Sequence, residues 1–397
     1  MTGPTPRKLL GFVQKRLRLG RYLRAPGDGR RRPQIPAHTL LWAILIAQLL
    51  REVSFHAVEA LVRSRARRSL GLGRGFGDDA LGYFTERLDP EPTRQAIASV
   101  LRQAKRNKAF DDTWLIGLVI DGTGAGRCSK ERCSLCHPVL DSNKQPTCYL
   151  HHFCMASVVG AALKLPVDVE PYAVGDSEYN SGRRLLRRVV GNLGARFAQF
   201  VVVDGGFATA PFLHTAGELG LSVIARLKGN LPELFAAAQA RFINQPAHTT
   251  VQVGRDRVEL WDADDFLPWD TLRWPSVRVL RYRQHKPDGT VIEAYWLTDL
   301  PSSKVGSASL YRLAKRRWQI ENEGFNDGKT RHGMEHVSRH DANALLMGWL
   351  LAAFAMTIER LYRVRFARRG THPALTPIEF FRLLRLALCT PAAADTS

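Results

Sequence analysis

Acidic residues are scarce in this chain. Its 397 residues include 37 Asp and Glu against 57 Lys and Arg, a formal net charge of +20. A deficit this large favours a polyanionic partner such as DNA or RNA over an acidic one, although a generally basic, soluble surface would give the same sum. Arginine outnumbers lysine, which suits bidentate contact with phosphate. Cysteine is scarce too. Six in so long a chain do not make a disulfide scaffold, and a reducing cytoplasm is the expected compartment. Long hydrophobic runs are missing. Residues 40–50 are interrupted by Gln48, and residues 344–358 span only a few turns. Both fall short of the roughly 18–20 residues that cross a bilayer, so both read as buried helices. The basic N-terminal stretch lacks a following apolar core with a small-residue cleavage site, so no secretory signal is expected. The glycines at 122, 124 and 126 are not followed by Lys-Ser/Thr, which excludes a Walker-type phosphate loop. No internal repeat is visible. Apolar residues make up 45%, which excludes a disordered chain, and the length allows two or three domains.

What is present divides the chain into four stretches. Residues 1–110 read as helical and basic. Pro36 precedes an apolar helix over 38–51, Ser54 can cap a second over 55–67, Asp78 and Asp79 open a third, and 92–107 form another. Arginines on their outer faces suit DNA contact, without a helix-turn-helix signature; the alternative is a helical unit packed on the core with solvated charges. Residues 111–235 alternate strands (114–120, 149–160, 165–174, 200–203, 222–227) with helices (181–193 and one beginning at 211), an α/β pattern with a mixed sheet. Residues 236–303 are β-rich, with strands over 249–253, 257–261, 277–282 and 290–297 and a hairpin signal Pro-Asp-Gly at 287–289. Residues 304–390 return to helices, and 344–358 read as a core helix behind the one that carries Glu321.

Three acids stand where divalent-metal chemistry would need them. Asp121 ends the run Leu-Ile-Gly-Leu-Val-Ile-Asp, Asp204 ends Phe-Val-Val-Val-Asp, and Glu321 lies on a helical stretch. Leu310, Ala314, Arg317, Trp318, Glu321 and Phe325 recur at helical steps, so Glu321 shares an otherwise core-facing side with Arg317. An acid there is costly unless it is paired or metal-bound. Taken alone, the simpler reading is a solvated i,i+4 Arg–Glu pair. Two strand-tip aspartates followed by glycines change that balance, because strand tips of α/β sheets are usual sites of ligand chemistry. Carboxylates so gathered would hold hard cations. Lys329, two turns past Glu321, would add a phosphate contact. Asp176 and Glu178 could add acidity, but read more simply as solvated loop acids.

These pieces resemble the insertion-sequence transposases of the Asp-Asp-Glu class. The branch is the one whose ribonuclease H-like core is interrupted by a β-rich insertion. The matching motifs are Val-Ile-Asp-Gly-Thr (119–123), Val-Val-Asp-Gly-Gly-Phe (202–207) and Arg-Trp-Gln-Ile-Glu-Asn-Glu-Gly-Phe-Asn-Asp-Gly-Lys (317–329). Val-Ile-Ala-Arg-Leu-Lys (223–228) and Tyr-Trp-Leu-Thr-Asp-Leu (295–300) are also similar. Together they cover about 35 to 365. The resemblance implies an α/β, ribonuclease H-like catalytic core with a helical N-terminal region and C-terminal helices. It implies that Asp121, Asp204 and Glu321 hold two Mg²⁺ or Mn²⁺ ions, one activating water and later a DNA 3′-OH, the other stabilising the leaving oxygen. It further implies cutting at element ends, joining to target DNA, and a homodimer or higher oligomer on double-stranded DNA in the nucleoid. The family's helix runs Tyr, two residues, Arg, three residues, Glu, six residues, Lys. Arg317 and Glu321 keep their spacing, Ala314 takes the Tyr place with Tyr311 one turn earlier, and Lys329 comes one residue late. Arg317, Lys329 and Tyr311 are thus the implied phosphate contacts. Glu323 is a rival acid on another helix face. An insertion-domain tryptophan (Trp261, Trp269, Trp274 or Trp296) stacks on a flipped base in some relatives. Two rivals remain open: a metal-dependent nuclease without strand transfer, and a transposase-derived DNA-binding protein without catalysis.

The segment after Asp121 holds Cys128, Cys133, Cys136, Cys148, His151, His152 and Cys154. Cys133-x₂-Cys136 and Cys148-x₂-His151 have zinc-site spacing. Cys128, Cys133, Cys136 and Cys148 are the favoured ligands of a structural Zn²⁺; reduced thiols packed in a strand–loop–strand connection are the alternative. Because residues 149–158 read as a strand, His151 points away from His152 and Cys154.

Overall fold

The structure, a computed structural model, describes residues 5–23, 27–368 and 376–389. Helices come first: α1 (Pro6–Gly11), α2 (Gly20–Leu23), α3 (Ala37–Leu49), α4 (Phe55–Arg63), α5 (Asp78–Thr85) and α6 (Pro90–Arg106). Apolar side chains fill α3, which is buried from Leu40 to its end. Helix α4 begins where Ser54 Oγ accepts the Ala57 N–H at 3.1 Å. It stops four residues before the expected end, because Ser64 turns extended (φ −74°, ψ 166°).

A single ten-stranded sheet forms the centre. Its strands are β1 (Gly117–Cys128), β2 (Cys136–Leu140), β3 (Pro146–Val159), β4 (Leu165–Tyr172), β5 (Phe200–Val203), β6 (Ser222–Leu227), β7 (Thr249–Val253), β8 (Asp256–Phe266), β9 (Val277–His285) and β10 (Val291–Thr298), in the order β2-β3-β1-β5-β6-β10-β9-β8-β7, with β4 also on β3. Strands β4, β3 and β1 pair antiparallel, then β1, β5 and β6 pair parallel. That order, with helices α7 (Glu178–Leu193) and α8 (Ala210–Glu218) on the crossovers, is the mixed α/β, ribonuclease H-like arrangement expected from the sequence. Helix α9 (Pro232–Phe242) then leads into the β-rich stretch. Strand β10 bonds antiparallel to β6, so the four later strands widen the same sheet. The Pro-Asp-Gly turn closes as expected, with Lys286 N–H on Thr290 O at 2.9 Å and Gly289 at φ 81°.

After the sheet come α10 (Ser307–Ala314), a 3₁₀ turn (Lys315–Arg317), a π turn (Ile320–Phe325), α11 (Asn326–Arg331), α12 (Ala342–Arg368) and α13 (Pro377–Cys389). Helix α12 outruns the expected few turns. Its stretch Ala342–Arg365 has the length and apolar composition of a membrane span, and 83% of the most apolar window is buried inside the fold. It packs on β4, α3 and α6, with Trp349 stacked on Phe153 at 4.2 Å between ring centroids. A polar tie crosses this core. Asp168 on β4, 2% exposed, accepts from Arg94 of α6 at 3.0 Å and Arg188 of α7 at 2.6 Å.

Candidate active site

Strand pairing brings the two aspartates level. The parallel register pairs Val119 with Val202, so a two-residue step along each strand sets Asp121 opposite Asp204 on the same sheet face. Asp204 stands at the strand tip as expected, one residue beyond β5. Asp121 does not: β1 runs on to Cys128, because antiparallel pairing with β3 continues past it. The glycine after Asp121 ends no strand and instead makes room. A Cβ on Gly122 would lie 2.3 Å from Glu178 Oε1.

Arg317 gathers the acids. Its Nη1 donates to Asp121 Oδ2 at 2.8 Å and its Nη2 to Glu321 Oε1 at 2.9 Å. Asp204 Oδ2 accepts from Lys228 Nζ at 2.9 Å. Burial works against the Arg317 charge, yet Asp121, Glu321 and Asp204 together raise its pKa. Burial pushes the Asp121 carboxyl up to about 7; Arg317 opposes this, while Glu178 and Glu321 add to it. Burial also raises Asp204, but Lys228 outweighs it and holds that carboxyl below its usual range.

Glu178 is a fourth carboxylate at the site, not the solvated loop acid that the sequence suggested. Ser177 caps α7 by accepting the Asn180 N–H at 3.3 Å, which fixes Glu178 in the first turn, against Gly122. Burial raises its pKa, and the Asp204 charge raises it further. The helix was expected over 181–193 and starts three residues earlier, at Glu178 behind the Ser177 cap; neither that start nor the fold of the β4–α7 connection onto β1 was read from the sequence.

The remaining expected residues sort clearly. Glu323 pairs with Lys164 at 3.1 Å, whereas Glu321 is the acid of this turn that meets Arg317. Lys329 donates to Gly124 O at 2.6 Å and pairs with Glu335 at 3.2 Å, so it flanks β1 just beyond Asp121. Its late position is absorbed by the π turn. One π turn plus one α turn spans about eight residues, which returns Lys329 to the Glu321 side. Tyr311 is 2% exposed, its hydroxyl donates to Gln284 Oε1, and it packs on Tyr282, so its side chain is not presented at the surface as a phosphate contact. Trp261 and Trp296 are buried in the sheet. The cysteines lie at the far end of β1. Cys133, Cys136 and His151 are in contact there, beside Cys128. Cys148, expected with them, is three residues from His151 on β3, an odd step that aims it at the other face of the strand.

Carboxylates offering only oxygen donors, two of them with raised pKa values and a guanidinium bridging two of the acids, form a set that fits a hard divalent cation. The transposase DDE domain family matches residues 116–358. No curated protein matches the chain. Among solved structures, the piggyBac transposase synaptic complex with hairpin DNA is similar at 12% identity and a TM-score of 0.46, over 97% of this chain and 80% of that one, a likeness too loose to argue from. The family match spans more than half of the chain, from the residue before β1 into α12, and takes in Asp121, Asp204 and Glu321: the chain belongs to the transposase DDE domain family.

Proposed function

We propose that the chain is a DNA transposase that cuts at the ends of its insertion element and joins the freed 3′-OH to target DNA. One observation carries the reading: Asp121 and Glu321, from elements far apart in sequence, meet on one guanidinium beside Asp204. Asp121, Asp204 and Glu321 would hold two Mg²⁺ or Mn²⁺ ions, with Glu178 beside them. Such ions, when bound, lower the pKa of water and neutralise phosphate charge. The chain's own residues orient the acids. Arg317 fixes Asp121 and Glu321 by donating to both, and Lys228 fixes Asp204. In the cut, a water oxygen bonds to phosphorus, the bond from phosphorus to the 3′ oxygen breaks, and that oxygen leaves as 3′-OH. In the joining step this 3′-OH attacks a target phosphate, and its proton passes to the 3′ oxygen released from the target strand.

A basic cleft of about 790 Å³, lined by Lys15, Arg16, Arg18, Arg21 and Arg106 among others, supports duplex contact by the N-terminal helices. Two element ends must be held together, so a dimer or larger assembly on DNA in the cytoplasm belongs to the proposal. The test incubates purified protein and Mg²⁺ with a plasmid carrying the element ends and a second, target plasmid. End cleavage plus a covalent donor–target product supports a transposase. Cleavage without that product leaves a nuclease, and binding with neither leaves a non-catalytic descendant.

A further inference from the structure

Two overlapping trios in the cysteine cluster, Cys133–Cys136–His151 and Cys128–Cys136–His151, have the dimensions of a metal site. Cys128 ends β1, Cys133 and Cys136 lie at the entry to β2, and His151 stands on β3 directly across from Cys136. The Cys133 and Cys136 sulfurs are 3.7 Å apart, and His151 Nε2 lies 3.4 Å from the first and 3.5 Å from the second. The Cys128 and Cys136 sulfurs and a His151 ring nitrogen all lie within 4.8 Å of one another. A tetrahedral zinc, with Zn–S near 2.3 Å and Zn–N near 2.0 Å, has edges of about 3.8 Å between sulfurs and about 3.5 Å between sulfur and nitrogen. The side chains also carry the supporting bonds that metal ligands need. His151 Nδ1 lies 3.1 Å from Gly126 O. Donating that N–H leaves the Nε2 lone pair facing the sulfurs. The Arg132 N–H points to the Cys136 sulfur at 3.5 Å. These cysteines form no disulfide.

We propose that Cys128, Cys133, Cys136 and His151 bind one structural zinc ion that clamps the far end of β1 to β2 and β3. His151 takes the place that spacing alone gave to Cys148. The clamp reaches the active site through Gly126. The carbonyl of that residue serves His151, while its N–H donates to Glu335 Oε2 at 3.0 Å, and Glu335 in turn pairs with Lys329. The site itself lies seven residues beyond Asp121 along β1 and shares no ligand with the carboxylates.

The test is metal analysis of the full-length protein by inductively coupled plasma mass spectrometry after expression with zinc and exhaustive dialysis. The expected content is about one zinc per chain, falling at least about tenfold in C133S, C136S and H151A and unchanged in C148S and D121N. Variants that fail to fold do not remove the test. Cobalt exchange into the wild type should give tetrahedral visible bands and a near-ultraviolet thiolate-to-cobalt band of three-thiolate strength, weaker in C128S. His340, whose ring lies 5.9 Å from that of His151, is the competing nitrogen. Zinc lost in H340A but kept in C128S would overturn the assignment, as would loss in C148S. A wild type with neither zinc nor a cobalt–thiolate band would overturn the site altogether.

Discussion

At Asp121 burial penalises the carboxylate charge more than Arg317 offsets it, and Glu178 and Glu321 add to the penalty. A buried acid whose pKa rises from the ordinary 3.8 to about 7 binds its proton more tightly folded than unfolded. Its contribution to stability is therefore present below about pH 4 and is lost as pH climbs to about 7. In chelator, the stability of D121N relative to wild type should rise by about 2–4 kcal/mol between pH 5 and pH 8, read from urea midpoints; a flat difference contradicts the charge argument. Mn²⁺ should raise the wild-type melting temperature more at pH 8 than at pH 6, and D121N should lose most of that gain. D121N, D204N and E321Q should each cut end cleavage at least about 10²-fold, because metal polarisation is worth several kcal/mol and each 1.4 kcal/mol is tenfold. E178Q, beside the ligands, should lose about 10- to 100-fold; full activity would return Glu178 to the background. The three acids were legible because each follows or punctuates a strong apolar pattern. Glu178 read more simply as a loop acid, and His151, noted in Cys148-x₂-His151, was passed over for Cys148, since only a chain reversal brings either to its partners. Tyr311, one turn before the Tyr place that Ala314 takes, lies on a face packed against β9 through Tyr282, and that burial left no mark in the local pattern.

Among the elements, the π turn Ile320–Phe325 is the most telling. It reconciles an eight-residue spacing with one helix face, so removing Asn322 should convert it to α-helix and keep Lys329 in phase, shifting the melting temperature by only a few degrees. Removing two residues from the same turn rotates α11 by about 100° and should abolish cleavage while α10 stays in place. Similar cleavage by the two deletions would refute the phase argument. The Arg94–Asp168–Arg188 tie makes a separate forecast. Asp168→Ala strands two cations beside a buried gap and should cost about 3–5 kcal/mol in chemical denaturation; a loss under about 1 kcal/mol would mean that water reaches the site. Strands β5, β6 and β7 were legible to their ends because short β-branched or alternating runs sit between turn residues. Strand β2 was not: Cys136–Leu140 contains Pro138 and is exposed along most of its length, as a strand flanking only β3 can be. Helix α9 starts with Pro232 at its first turn and continues through an alanine-rich run, signals that were present but drowned by the strands on either side.

For the molecule as a whole, charge and topology set the behaviour. With +20 formal charge, duplex binding should weaken by about 10³–10⁵ between 50 and 200 mM salt if six to ten phosphates are contacted; affinity that ignores salt would remove the basic cleft from the account. The class of fold was legible in the alternation of strands and helices. That β7–β10 would continue the central sheet was not, because strand pairing across a long connection leaves no local mark in sequence. Widening the sheet places β10 against β6, the strand whose end supplies Lys228 to Asp204, so the added strands brace one wall of the site. The central claim is that Asp121, Asp204 and Glu321 share divalent ions, and anomalous scattering from crystals grown with Mn²⁺ tests it most directly. The account predicts manganese density bonded to oxygens of Asp121 and Asp204, with Glu321 completing the site. Manganese bound elsewhere, with those carboxylates holding none, would contradict it.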